Sequence, residues 1–135
     1  MKFVEEAILN ILKNDAAITA KVGDRIHVNT IPQGADFPAI RVVRIATEGN
    51  ETKDGPSTVD NVFLQIDSFS DHTLEAKEVA ELIREALDYY NGIEPTSLVN
   101  IINMTYNNAT MVRYEEVDVN AIASEYIARV AVNES

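Results

Sequence analysis

Apolar positions recur at three- and four-residue steps most clearly between Ser70 and Gly92, SDHTLEAKEVAELIREALDYYNG. Ala76, Val79, Ala80, Ile83, Leu87 and Tyr90 line one face, and Glu78, Glu81, Arg84, Glu85 and Asp88 fall mostly on the other. The spacing predicts one long amphipathic helix. Ser70 or Asp71 is the expected N-cap, because a short side-chain oxygen there accepts from the free amides of the first turn. Glu75 and Glu78 sit near the positive end of the helix dipole. Glu81 and Glu85 repel across one turn, which only a solvated face tolerates. Asn91-Gly92 supplies a left-handed stop. One apolar stripe cannot be buried by a lone helix, so a sheet must lie beneath it.

The same reading along the rest of the chain gives short elements. Val4, Ala7, Ile8, Ile11 and Leu12 predict a helix over Lys2 to Lys13. Asn14 or Asp15 then opens a second helix, Ala16 to Val22, with Gly23 as its stop. Ile26 to Thr30 reads as an edge strand ended by Pro32. Ala39 to Ala46 is a strand apolar on both faces, Ile40 and Val42 against Val43 and Ile45. Asn61 to Phe69 pairs with it as an antiparallel hairpin, with Val62, Leu64 and Ile66 beneath the long helix. Ile93 to Thr96 reads as a connector stopped by Pro95, and Leu98 to Tyr106 as a strand with a turn or bulge at Asn107-Asn108. Met111 to Val119 is polar enough to be a strand end plus connector, and Ala121 to Val132 is the strand that closes the sheet. The fold class that follows is α+β. A mostly antiparallel sheet of about four to five strands carries a long central helix and an N-terminal helical segment on one face.

Between the two hairpin strands lies TEGNETKDGPSTVD, Thr47 to Asp60, which has two glycines, a proline and no large apolar residue except Val59. Loops beyond roughly 12 residues in a compact domain are commonly functional or disordered. No apolar burial is available to order this one, so it is expected to be mobile (47-60) until a partner holds it.

Composition narrows the function classes. The 135 residues fit one domain, 1-135, with enough length for a core. Eleven basic against 22 acidic residues give a net charge of -11, which disfavours direct nucleic-acid binding and an anionic membrane surface. There is no cysteine, hence no thiolate nucleophile, disulfide framework or Cys-based metal site. MKFVEEAILNILKND does not read as a secretory signal, and no apolar run approaches the ~18 residues of a membrane span, so folding in a cytoplasm is the simple expectation. Three glycosylation sequons, at Asn50, Asn103 and Asn108, then read as chance.

Residues that carry chemistry are sparse. His27 and His72 lack the helical partner a metal pair needs. Glu115, Glu116 and Asp118 lack the glycine of a calcium loop and read as a solvated strand end. Ser57, Thr58 and Ser68 have no nucleophile-elbow glycines, and Gly49 and Gly55 form no phosphate loop. The carboxylates on the long helix sit at surface spacing, without the unequal burial that acid/base pairs need. Tyr90 reads as core, with Tyr89 capping it or anchoring an interface. No catalytic, cofactor or metal site is expected.

An ordered set of short motifs remains: Val22-Gly23-Asp24-Arg25-Ile26, Pro32-Gln33-Gly34, Phe37-Pro38 at a strand start, Asp54-Gly55-Pro56, and Gln65-Ile66-Asp67 running into the helix at Ser70. In this order they resemble the tail completion proteins (tail terminators, or head-to-tail joining proteins) of long-tailed bacteriophages, over roughly Val4 to Asp88. The resemblance implies a late virion-assembly protein of the tail and head-tail interface, with no catalytic residues. It implies a ring, commonly of six subunits, that caps the tail tube and meets both the tail tube protein and the head connector proteins. On this reading the partner interface comprises Glu48, Asn50, Glu51, Lys53, Asp54, Phe63 and Phe69, with Val43 and Ile45 also available to neighbours. Identical subunits carrying -11 each repel, so the isolated protein is expected to associate weakly and to form its ring on a template. Two other readings stand beside this one. One is a different connector or tail-tube module of the same assembly. The other is a small enzyme with two of Asp24, Asp67, Glu115 and Glu116 in a deep pocket.

Overall fold

Capping chemistry sets the short helices. In the computed structural model, which describes residues 3–32, 34, 36–49 and 59–131, α1 spans Val4–Lys13 and α2 spans Ala16–Val22. The Asp15 carboxylate accepts from the amides of Ala17 at 3.0 Å and Ile18 at 3.1 Å, so it satisfies two orphan donors of α2. Gly23 ends that helix with φ of 59°, a backbone that a side chain would strain. The long helix α3, Thr73–Leu87, begins later than its pattern implies. Ser70 is still strand, and its hydroxyl accepts from the His72 amide at 3.0 Å while donating to Glu75 at 2.7 Å. His72 occupies the N-cap position without a side-chain capping bond, so neither Ser70 nor Asp71 is the N-cap.

The strands are β1 (Ile26–Val28), β2 (Ala39–Gly49), β3 (Val59–Ser70), β4 (Gly92–Ile93), β5 (Asn100–Tyr114) and β6 (Val119–Ala131). They form one sheet of order β1-β2-β3-β6-β5-β4, antiparallel throughout except where β1 runs parallel to β2. The six strands exceed the four to five expected, because β4 is only two residues long and reads as a connector in the sequence. Asn107-Asn108 is a bulge rather than a chain reversal, so β5 runs through it to Tyr114. The reversal comes at a 3-10 turn, Glu115–Val117. β6 does not close the sheet at an edge. It lies inside, hydrogen-bonded to β3 along one side and β5 along the other.

The predicted hairpin is present, from Ala39 opposite Phe69 to Gly49 opposite Asp60. Thr47, Glu48, Gly49 and Asp60 are therefore ladder residues of the hairpin, not loop, and Val59 pairs with Ala131 of β6. The remainder of the expected loop, residues 50–58, lies outside the described residues.

All three helices cover one face. Ile8 and Leu12 of α1, Val22 of α2, and Val79, Ile83 and Leu87 of α3 meet Ile40, Val42, Val62, Leu64, Ile66, Tyr126 and Ala128 in one buried cluster. Full burial of each large aliphatic side chain there contributes roughly 1.5–3 kcal/mol. Polar ties fix the helices over that core. Ser68 donates its hydroxyl to the Ala76 carbonyl at 2.8 Å. Arg44 pairs with Glu5 of α1 at 2.6 Å, and Lys21 of α2 with Glu78 of α3 at 2.7 Å.

Candidate interaction surface

The second face of the sheet carries no helix, and the residues on it are mixed. Alternation along β3 turns Phe63, Gln65, Asp67 and Phe69 toward it, opposite Ile127, Glu125, Ala123 and Ala121 of β6. Its centre is an ion pair. Arg41 donates through Nε at 2.9 Å and Nη2 at 2.6 Å to Asp67, which also accepts from Gln65 at 2.9 Å. The Asp67 side chain is 2% exposed, so its partners replace the water it has lost. Arg41 also lies 5.3 Å from the centroid of the Phe69 ring.

The expected interface residues separate. Glu48 is exposed near the end of β2 opposite Asn61, and Phe63 is half-buried opposite Ala46, close to it on the same face. Phe69 lies six residues further along β3, on the order of 20 Å away at strand rise. It is buried in a small cluster with Val119 and Ala121, with Ile31 and Val112 packed against it and the Tyr114 ring 6.2 Å distant. The loop after β1 thus covers a side chain that alternation alone turns outward. Ile45 is exposed at the bulge in β2 and Val43 is half-buried. Asn50, Glu51, Lys53 and Asp54 lie outside the described residues.

Among the described residues, Asp24, Asp67, Glu115 and Glu116 share no pocket. Asp67 is held by Arg41 mid-strand, Asp24 is exposed beyond α2, and Glu115 and Glu116 are exposed on the turn before β6. Arg113 pairs with Asp118 and lies 3.3 Å from Glu115, so that acidic turn is partly neutralised by its own strand. Among the described residues no group of three or more His, Cys, Asp or Glu could hold a metal ion, and no helix is long and apolar enough to cross a membrane. His27 is half-buried on β1 with Nε2 unpartnered among the described residues.

Two features escape the sequence reading. The first is Glu94, 1% exposed in the connector after β4. Burial pushes its carboxyl up, but donors from the Ser97 amide, the Asn10 side chain and the Thr96 amide outweigh this and hold it at about 2. Asn10 belongs to α1, so this carboxylate ties the end of the sheet to the first helix. An acidic residue followed by Pro-Thr-Ser is the signal that could have found it. The second is the β4–β5 side. β4 pairs only Asn100 and Ile101 of β5. The end of α3 then covers two backbone groups: Tyr89 donates its amide to Met104 at 2.7 Å, and Asp88 accepts from the Tyr106 amide at 3.0 Å. Beyond Tyr106 no described strand lies along the outer side of β5.

The family model for tail completion protein gp17 matches residues 6–131, and the chain belongs to that family. It is therefore a bacteriophage tail protein with a structural part in virion assembly. Solved structures repeat the fold. A chain from the virion of a native gene transfer agent particle superposes with a TM-score of 0.71 and 21% identity, covering 96% of this chain and 95% of its own. A second solved chain has a TM-score of 0.61 and 11% identity, covering 98% and 96%. A comparison with curated protein sequences returned no match.

Proposed function

We propose that this protein caps the end of the tail tube as a ring, six subunits being the expected number, and joins the tube to the head connector. Family membership carries this reading. The bare sheet face supports it, since no helix of the described residues covers it. In this reading Glu48 and Phe63, with Asn50, Glu51, Lys53 and Asp54, meet the tail tube or the connector. Phe69 contributes by holding the face in shape rather than by touching a partner. The protein performs no reaction, and neither nucleic acid nor membrane is a direct partner.

Subunits that each carry -11 repel, so the ring forms on the tube end and the free protein associates weakly. Stable contacts bury on the order of 1,200–2,000 Å², and a template supplies part of that area. The test is negative-stain microscopy of particles produced without this protein. Overlong tails, or full heads and tails left apart, are expected. Joined tails of normal length would overturn the proposal. A tight hexamer of purified protein at low ionic strength would overturn the need for a template.

A further inference from the structure

We propose that the shallow groove between α2 and α3 receives a basic amphipathic helix of a partner protein. The contact lies on the helix side of the sheet, opposite the bare face, and it stands whether or not the protein forms a ring.

The groove has a volume of about 400 Å³ and is lined by Lys21, Leu74, Lys77, Glu78, Glu81 and Leu82. Its surface is mostly hydrocarbon, supplied by the two leucines and by the stems of the two lysines. Leu82 is half-buried and packs on the core, so the floor is anchored. Leu74 is 72% exposed, more than any other large aliphatic side chain described, and the buried stripe of α3 is complete without it. The two leucines lie little more than two turns apart on α3, on the order of 12 Å. That is close to the spacing of i and i+7 anchors when one helix lies along another.

Charge selects the occupant. Lys21 reaches from α2 to Glu78 at 2.7 Å, so that pair is already balanced. Glu81 and Glu85 follow on the exposed side of α3, one turn apart, and neither forms an ion pair among the described residues. Like charges at this spacing destabilise the helix that carries them. A lysine or arginine lodged between the two carboxylates replaces that repulsion with two attractions. Lys77 is the only cation of the lining without an ion pair among the described residues, so acid exceeds base along this ridge. The net charge of -11 draws a basic segment in from further off. A second copy of this chain brings the same excess of acid and is a poor occupant.

The test uses the whole protein and a synthetic helical peptide with leucine at i, i+3, i+4 and i+7 and lysine elsewhere, titrated by calorimetry. The peptide is expected to bind, with the methyl signals of Leu74 and Leu82 shifting in NMR spectra. Leu74→Ser should weaken binding about tenfold, by removing the exposed anchor. Glu81→Gln with Glu85→Gln should also weaken it about tenfold, and this variant keeps its fold because a repulsive pair is lost. Glu48→Gln with Glu125→Gln removes equal charge from the bare face and should leave affinity unchanged. A peptide with the same leucines and glutamate in place of lysine should not bind. Equal losses from the two double variants would mean that net charge alone attracts the peptide, and would overturn the inference. Full affinity in Leu74→Ser, binding of the glutamate peptide, or no binding of the lysine peptide would each do the same. None of these outcomes bears on the microscopy of tails, so the ring reading stands or falls separately.

Discussion

The two faces of this sheet are built on the same strands and follow opposite rules. Beneath the helices, Ile40, Val42, Leu64 and Ile66 are fully buried and hydrocarbon meets hydrocarbon. On the bare face, the intervening positions of β2 and β3 carry Arg41, Gln65 and Asp67 with Phe63 among them. The first face makes the protein stable and says nothing of partners. The second contributes a polar lattice that holds its shape in water and leaves apolar side chains half-covered. The contrast teaches that the fold's free energy and its contacts are separable by a single alternation along a strand.

That separation can be broken or sharpened by substitution. Leu64→Ala should have the largest effect, about 3 kcal/mol lost in urea unfolding, because truncation leaves a cavity that the core closes only in part. A loss below ~1 kcal/mol would show that the helix face is loosely packed. Glu94→Gln comes next. The folded carboxyl lies near 2, below its ordinary value of 4.5. Its contribution is therefore present above pH ~4.5 and lost as pH falls toward 2. The displacement corresponds to about 3 kcal/mol, a little less being lost in the variant because Gln keeps one acceptor. The stability difference between parent and variant should vanish near pH 2, and a difference flat across acid unfolding titrations would refute the assignment.

Asp67→Ala should cost about 2 kcal/mol, since it strands Arg41 beside the Phe69 ring, but Arg41 keeps some access to water. Thermal unfolding of the single variant and of Asp67→Ala with Arg41→Ala would check this, the pair being closer to the parent than the sum of the singles. Phe63→Ser should cost under ~1 kcal/mol of stability while reducing incorporation into tails. Unchanged incorporation, read by quantitative blotting of purified particles, would remove Phe63 from the interface. The smallest effect is expected at Tyr126→Phe. The Tyr126 hydroxyl is buried with no partner among the described residues, and burial followed by the neighbouring Tyr106 and Asp88 pushes its phenol well above the ordinary range. Removing it should be neutral or stabilise by up to ~1 kcal/mol in the same unfolding assay.

Much of the helix face was legible in advance because it is written locally. The stripe from Ala76 to Leu87 and the alternation of Val62, Leu64 and Ile66 each specify one buried side. The site was less legible. Phe63 and Phe69 share a parity on one strand, but only Phe69 is closed off, by Ile31 and Val112 from remote segments. The run from Tyr89 to Val112 has a single charged residue in the sequence, Glu94, and only the fold shows that it is buried.

By itself the sequence determined that three helices form, where α2 starts and stops, the β2–β3 pairing and the face that β2 and β3 bury, because caps and periodicity act over a few residues. The long helix instead ends at Leu87, before the Asn91-Gly92 stop expected for it, and the bulge in β5 buries Ile101 and Met104 together. Only the tertiary structure decided that β6 lies between β3 and β5, that β1 joins in parallel, and that Glu94 is buried against α1. A two-residue period states which way a side chain points and not which strand lies beside it. That choice belongs to contacts between segments far apart in the chain.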